Sequence, residues 1–99
     1  MEPVNFAGTI TDTELAKEGK HHAEALVVQQ TGLFEFHVLV RMPPQGHWRA
    51  LSTRRNPGKP RSFKSLDRLT ERLKRDFPGI GSVTFQLLIP TTYELDLRG

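Results

Sequence analysis

Basic side chains are concentrated in one segment of the chain. Between Arg41 and Asp76 there are eleven Lys or Arg residues and three acids, whereas the rest of the chain holds three bases and eight acids. The net charge of +3 hides this segregation. Guanidinium and ammonium groups bind phosphate oxygens, and charge of one sign collected in one segment favours an anionic partner. The chemistry that these residues indicate is therefore the binding of an anion.

Ten side chains in this segment are the candidate contacts with nucleic acid or another partner. Nine are cationic, and the tenth is an indole that either stacks on a base from an exposed position or belongs to the core. They are Trp48, Arg49, Arg54, Arg55, Lys59, Arg61, Lys64, Arg68, Arg72 and Arg75. The alternative is that the charges only solvate an exposed helix face, with Glu71 pairing with Arg68 and Arg75 at helical spacing. Nucleic acid is the favoured partner, and an acidic protein surface is the main competitor.

Catalytic and metal chemistry have little support in the sequence. The chain has no cysteine, which excludes disulfides, thiolate ligands and a thiol nucleophile. His21 and His22 are adjacent and point in different directions, and no HxxxH or HExxH motif is present. A small ribonuclease would need His37, His47 and Glu35 to converge. We expect no enzymatic activity, no metal, no cofactor and no small-molecule substrate.

Size and termini indicate a small protein with one core. Ninety-nine residues are enough for a single domain, 1–99. The start Met1–Val4 lacks the basic and apolar regions of a secretory signal, and no stretch approaches the roughly 18–20 apolar residues of a membrane span. We expect a cytoplasmic protein without a membrane partner. A homodimer is a reasonable expectation, because a small chain without disulfides must stand on its core or on a partner.

A β-hairpin is predicted ahead of the basic loop. Residues 33–41 alternate in the manner of a strand, residues 43–46 supply a turn, and residues 47–53 return as the partner strand. We expect the aromatic side chains to form the core: Phe34, Phe36, Phe63, Phe77 and Phe85.

One amphipathic helix is predicted over residues 65–77. The preceding residues 54–61 contain two prolines and a glycine and cannot be helical. Ser65 is a suitable N-cap. One apolar stripe follows at helical spacing, at Leu66, Leu69, Leu73 and Phe77.

The remaining elements complete an α+β prediction. Residues 4–10 form a short strand, and Thr11–Glu14 spells a capping box that opens a short N-terminal helix. Residues 21–30 suit either a helix or a strand, with the strand favoured. Residues 80–89 form a strand, and residues 91–99 form an edge strand or a tail. The sum is an antiparallel sheet of about four to five strands with one main helix packed across it.

Two stretches resemble a known family. The sequences HWRALSTRR (residues 47–55) and PRSFKSLD (residues 60–67) are similar to the W-x-x-L-x-T-x-R strand and the R-x-F-K-S-L-D helix start of small ParC-type partition-associated proteins of bacterial plasmids. The resemblance covers about a third of the chain. It implies a non-enzymatic accessory of plasmid or integrative-element maintenance, and it carries over Trp48, Arg54, Arg61 and Lys64 as residues to test.

Two functions remain open at this point. The first is a nucleic-acid-binding accessory of a mobile genetic element, which uses the basic loop and helix. The alternative is a protein-binding regulator or inhibitor of anti-nuclease or anti-CRISPR type. Its basic surface would grip an acidic partner or block a nucleic-acid site.

Overall fold

A computed structural model of the protein describes residues 4–19, 22–43, 46–88 and 92–96. The elements in chain order are β1 (Thr9–Thr11), α1 (Asp12–Glu18), β2 (Ala25–Gly32), β3 (Glu35–Arg41), β4 (Trp48–Ser52), α2 (Leu66–Asp76), β5 (Ser82–Gln86) and β6 (Thr92–Asp96). All six strands belong to one sheet in the order β1-β4-β3-β2-β5-β6. Within this described part, neither helix has the length and apolar character needed to cross a membrane.

The α+β class is confirmed, but the sheet differs from the prediction in strand number and direction. It has six strands instead of about four to five, and it is mixed instead of antiparallel. β1 runs parallel to β4, and β5 runs parallel to β2. Parallel neighbours cannot be joined by a tight turn and need a longer connection. The chain from β2 to β5 meets this need, because it passes through β3, β4 and α2 before β5 begins.

Both helices begin at the residues that local sequence predicts. The hydroxyl of Thr11 accepts a hydrogen bond from the backbone N–H of Glu14 at 3.2 Å, and the Glu14 carboxylate accepts one from the Thr11 backbone N–H at 3.1 Å. This is the predicted capping box. Ser65 caps α2 by accepting a hydrogen bond from the Arg68 backbone N–H at 3.3 Å, and Phe77 is the C-cap. The predicted helix 65–77 is therefore correct, including its N-cap.

Several predicted strands are shifted or shortened. The favoured strand interpretation of residues 21–30 is confirmed from Ala25 onward, since β2 spans Ala25–Gly32. The predicted first strand, 4–10, is wrong over most of its length, because the sheet takes in only Thr9–Thr11 of this region. The final strand is present at Thr92–Asp96. Residues 44–45 of the predicted turn, and 89, 91 and 97–99 of the last two predicted strands, lie outside the described residues.

The main core lies between the sheet and the two helices. Leu69 and Leu73 of α2 and its C-cap Phe77 are buried there, in one cluster with strand residues such as Val38 and Phe85. The predicted aromatic core is correct for Phe36, Phe77 and Phe85, which are buried, and for Phe63, which packs against the cluster. It is wrong for Phe34, whose side chain is 76% exposed. Phe34 lies in the turn between β2 and β3, beyond the last pair of strand residues, so strand alternation does not apply to it.

The N-terminal strap, residues 4–8, covers the other face of the sheet. Val4 donates its backbone N–H to Oε1 of Gln86 at 3.0 Å and accepts a 2.6 Å hydrogen bond from Nε2 of Gln29. Ala7 then donates its backbone N–H to the carbonyl of Trp48 at 2.8 Å. The strap therefore crosses from β5 and β2 to β4. It shields a second apolar cluster, formed by Val27, Leu39 and Ala50 with Val4 and Trp48 packed against it.

Candidate nucleic-acid interface

The segment that leads into α2 is held along β3, beyond the point where β4 ends. Phe63 and Phe36 exchange two backbone hydrogen bonds, each 2.9 Å long. Arg61 donates its backbone N–H to the carbonyl of Leu51 at 2.7 Å. These bonds attach residues 61–63 to the sheet just before α2 begins. The position of this segment's cationic side chains is therefore set by backbone pairing.

A pocket lies between this segment and the first two turns of α2. Its volume is about 330 Å³. Four of its lining residues are cationic. The lining residues are Arg61, Ser62, Phe63, Lys64, Ser65, Arg68, Leu69 and Arg72. We call it the cationic pocket. The structure thus brings together four of the ten residues predicted from the sequence.

Two of the four cations are held in fixed positions around one aromatic ring. The guanidinium carbons of Arg61 and Arg72 lie 4.8 and 5.7 Å from the centre of the Phe63 ring, which is cation–π distance. Asp12 Oδ2 lies 2.9 Å from Nη2 of Arg72 and 3.9 Å from Nη1 of Arg61. Arg72 also pairs with Asp76, at 3.3 Å. These contacts orient both guanidinium groups and partly neutralise them.

The other two cations of the pocket are not neutralised in this way. Lys64 and Arg68 are exposed, and neither takes part in an ion pair within the residues described. Both lie at the N-terminus of α2, where the helix dipole also favours an anion. The pocket therefore combines two oriented guanidinium groups with two cations that are available to an anionic ligand.

A second pocket extends the basic region toward the preceding loop. It measures about 340 Å³ and is lined by Thr53, Asn56, Lys59, Pro60, Arg61 and Ser62. Arg61 and Ser62 line both pockets, so the two pockets adjoin and Lys59 lies next to the cationic pocket. We call Lys59, Arg61, Lys64, Arg68 and Arg72 together the cationic surface.

The loop that carries Arg54 and Arg55 is held at both ends. The Asn56 backbone N–H donates to the hydroxyl of Thr53 at 3.2 Å, and the hydroxyl of Thr9 donates to the carbonyl of Pro57. Arg54 and Arg55 are exposed in this loop, next to the second pocket. They are placed to extend the cationic surface.

Arg75 stands apart from the pocket. Its side chain is 75% exposed, and its Nε atom lies 3.4 Å from Oδ1 of Asp76. The alternative interpretation of the helix charges expected Glu71 as the partner of Arg75. In the described structure Arg75 pairs with its chain neighbour Asp76 instead.

Arg49 and Trp48 are not part of the cationic surface. Arg49 donates two hydrogen bonds to the Glu18 carboxylate, at 2.7 and 3.0 Å, and its side chain is only 14% exposed. This pair links β4 to the last turn of α1. Trp48 lies on the opposite face of the sheet, packed against the second apolar cluster, with the guanidinium carbon of Arg41 5.2 Å from its ring centre. Its ring therefore contacts protein groups, away from the cationic pocket.

The three residues considered for a ribonuclease do not converge. Nε2 of His37 lies 3.7 Å from Oε1 of Glu35. A hydrogen bond from the hydroxyl of Thr31 lowers the pKa of the Glu35 carboxyl from its ordinary value. His47 is the residue that stands apart. It directly precedes Trp48, which pairs with Arg41, and Arg41 lies four residues, or about 13 Å, along β3 from His37. Among the described residues, no group of three or more His, Asp or Glu is arranged to hold a metal ion.

Sequence reasoning missed one exposed apolar feature. Leu33 and Phe34, in the turn between β2 and β3, are 78% and 76% exposed, and Leu88, just after β5, is 54% exposed. We call these three residues the apolar tip. The sequence Thr31-Gly32 indicates a tight turn after β2, but the apolar character of the next two residues favoured an early start of β3 and so hid their exposure.

Comparisons with known proteins give this chain no relative. No protein-family model matches the sequence, and neither curated proteins nor solved structures produced a match. The resemblance of residues 47–67 to ParC-type proteins therefore stays a prediction.

Proposed function

We propose that the protein binds nucleic acid through the cationic surface, as a non-enzymatic accessory of a mobile genetic element. The observation that carries this proposal is the cationic pocket. Four cationic side chains line this pocket of about 330 Å³, and Lys64 and Arg68 have no acidic partner among the described residues. Clustered cations of this kind bind the phosphates of nucleic acid.

The composition and shape of the surface favour a phosphate backbone over a single small anion. Arginine dominates the pocket, and its planar group binds phosphate through two parallel hydrogen bonds. The second pocket, with Lys59, continues the cationic pocket through Arg61. Exposed Arg54 and Arg55 extend it further. A polymer with regularly spaced phosphates fits such an extended surface.

The setting in plasmid maintenance rests on the ParC-type resemblance. Two of the residues that the resemblance carries over, Arg61 and Lys64, line the cationic pocket, and a third, Arg54, lies in the adjoining loop. Trp48, the fourth, lies on the other face of the sheet. The basic part of the matched pattern therefore coincides with the proposed contact surface.

Titration with salt tests the proposal. Binding of short duplex and single-stranded DNA would be measured by fluorescence anisotropy across salt concentrations. About six phosphate contacts predict a log–log slope near −5 on duplex. A variant with Lys64→Ala and Arg68→Ala should bind at least about tenfold more weakly and have a slope less negative by about 2. The matched control carries Lys17→Ala and Lys74→Ala, which remove the same charge from exposed positions outside the pocket.

Two outcomes would contradict the proposal. One is the absence of binding to either DNA at low salt. The other is a stable protein partner that co-purifies at low salt, survives nuclease treatment and is released by the Lys64 and Arg68 substitutions. That result would support the regulator or inhibitor alternative, in which the same cations grip an acidic protein. Nucleic acid that co-purifies with the wild type, seen in the absorbance ratio, supports the proposal.

A further inference from the structure

We propose that the apolar tip stacks on unpaired bases of the strand that the cationic surface holds, so that the protein selects single-stranded nucleic acid. This inference rests on the proposed function and adds its substrate class. It starts from the exposure of Leu33 and Phe34, 78% and 76%, at the end of a hairpin. Large apolar side chains in this position contribute nothing to the core.

The fold does not require apolar residues at the turn. Tight hairpin turns favour Gly, Asn and Asp, whose backbones accept a positive φ. Neither Leu33 nor Phe34 has a positive φ, so many polar residues would satisfy the same backbone. An exposed aromatic ring can bind a ligand by stacking on a flat π-face, and every nucleic-acid base has such a face.

Hydrogen bonds hold the tip in place. Nε2 of Gln30 donates to the carbonyl of Leu33 at 3.4 Å, and Oε1 of the same side chain accepts from the backbone N–H of Leu88 at 3.1 Å. Across the turn, the hydroxyl of Thr31 donates to Glu35 at 2.6 Å. The tip is thus bonded through Gln30 to Leu88, just after β5, and a hydrogen bond joins the two strands on either side of the turn. Ordering a ligand on a prearranged platform loses less conformational entropy than ordering a mobile loop would.

The tip and the N-terminus of α2 lie at the same end of β3. Phe36 and Phe63 are paired in antiparallel fashion. The turn that carries Phe34 precedes Phe36, whereas Lys64 and the N-cap Ser65 follow Phe63, so both segments leave this pair in the same direction along β3. A nucleic-acid strand with phosphates on Lys64 and Arg68 would therefore pass the end of β3 that carries Phe34.

Among the described residues beside the tip, the cations of residues 59–64 lie on the side of β3, next to Phe36. The side of β2 carries β5 and Leu88. Residues 82–88 contain no Lys or Arg. One row of cations serves one phosphate backbone, but a duplex groove is bordered by two. The arrangement therefore favours a single strand, whose bases are also free to stack.

Two other occupants of the tip fit less well. Three side chains provide far less than the roughly 800 Å² that each partner buries in a stable dimer. Insertion into a membrane would carry Glu35, the residue after Phe34, into the bilayer. Glu35 is exposed and hydrogen-bonded in its charged form, and a charged side chain is costly in hydrocarbon. Single-stranded nucleic acid is the occupant that both the charges and the tip favour.

The test compares single strand with duplex in the full-length protein. The probe is a short DNA strand with 2-aminopurine at its centre, alone or annealed to its complement. We expect the wild type to prefer the single strand. A variant with Leu33→Ser and Phe34→Ser should bind the single strand about 5- to 150-fold more weakly, lose the 2-aminopurine fluorescence change, and keep its salt slope because no cation is removed. Phe6→Ala, at another exposed phenylalanine, is the control.

Each other outcome overturns the inference. If the wild type binds DNA but the tip variant binds equally well, the tip is not a contact while the proposed function stands. If the wild type fails to bind either DNA at low salt, the proposed function fails and the inference fails with it. Tip-dependent binding to vesicles containing phosphatidylserine, with tip-independent DNA binding, would assign the tip to a membrane. A dimer in sedimentation that the tip variant dissociates would assign it to a second copy of the chain.

Discussion

Asp12 of α1 and Arg72 of α2 form a hydrogen-bonded ion pair, with 2.9 Å between Oδ2 and Nη2. Sixty positions of sequence separate them. Arg72 also pairs with Asp76 and lies near the ring of Phe63, which lines the cationic pocket. One guanidinium group thus joins the two helices and borders the proposed phosphate site. Removing it should affect both stability and binding.

A double-mutant cycle measures the first of these effects. Asp12→Asn and Arg72→Ala, singly and together, should give a coupling free energy of unfolding of about 0.5–1 kcal/mol, because the pair is partly exposed. Urea denaturation at low salt supplies the four values. The same cycle with Arg68→Ala in place of Arg72→Ala is the control and should show no coupling. A zero value for the Arg72 cycle would mean that the pair does not hold the helices together.

Neighbouring residues on α2 should respond in opposite ways. Leu69→Ala should lower the free energy of unfolding by about 2–5 kcal/mol, since Leu69 is 1% exposed in the core. Arg68→Ala should change it by less than about 0.5 kcal/mol while weakening DNA binding. Denaturation curves and anisotropy on both variants check this. The reverse pattern would show that the helix presents its other face to the sheet.

Arg49 should matter for stability and not for binding. Its two hydrogen bonds to Glu18 are largely shielded from solvent, so Arg49→Ala should lower the free energy of unfolding by about 1–3 kcal/mol. Affinity for DNA, measured well below the melting temperature, should be unchanged. Arg54→Ala is the matched control and should show the opposite behaviour. Weaker binding by a fully folded Arg49→Ala protein would place Arg49 on the contact surface after all.

The capping box of α1 should make stability depend on pH. Hydrogen bonds from the backbone and side chain of Thr11 lower the pKa of the Glu14 carboxyl from its ordinary value of 4.5. The folded state therefore favours the ionised form. The resulting stabilisation is full above pH 4.5 and disappears as the pH falls through the lower folded pKa. Glu14→Gln keeps a capping side chain without a charge, so its stability difference from wild type should shrink on acidification. A difference that is constant with pH would contradict this.

Local features of the sequence predicted local structure well. The capping box at Thr11 and the helix 65–77 depend on residues within a few positions of one another, and both are correct. The parallel pairing of β1 with β4 and of β2 with β5 joins distant segments, and no short-range pattern carries that information. The prediction that Phe34 is a core strand residue was wrong because phenylalanine is a good strand former and continues the alternation of Phe36 and Val38. The two-residue turn between β2 and β3 places it outside the sheet.

The candidate site shows the same division. Arg68 and Arg72 share a helix face by spacing alone, and Arg61 and Lys64 directly precede that helix, so their proximity was predictable. The ion pair of Arg49 was not, because its partner Glu18 lies 31 positions earlier. In the sequence, Arg49 is grouped with the other basic residues, and only the folded structure shows that it pairs with Glu18.

The N-terminal strap makes the second face of the sheet depend on contacts between distant parts of the sequence. Ala7 is bonded to Trp48, and Val4 is bonded to Gln29 and to Gln86, the last of them 82 positions later. Contacts between such distant segments require the closure of long loops, which slows folding. We therefore expect the cover over Val27, Leu39 and Ala50 to form late in folding.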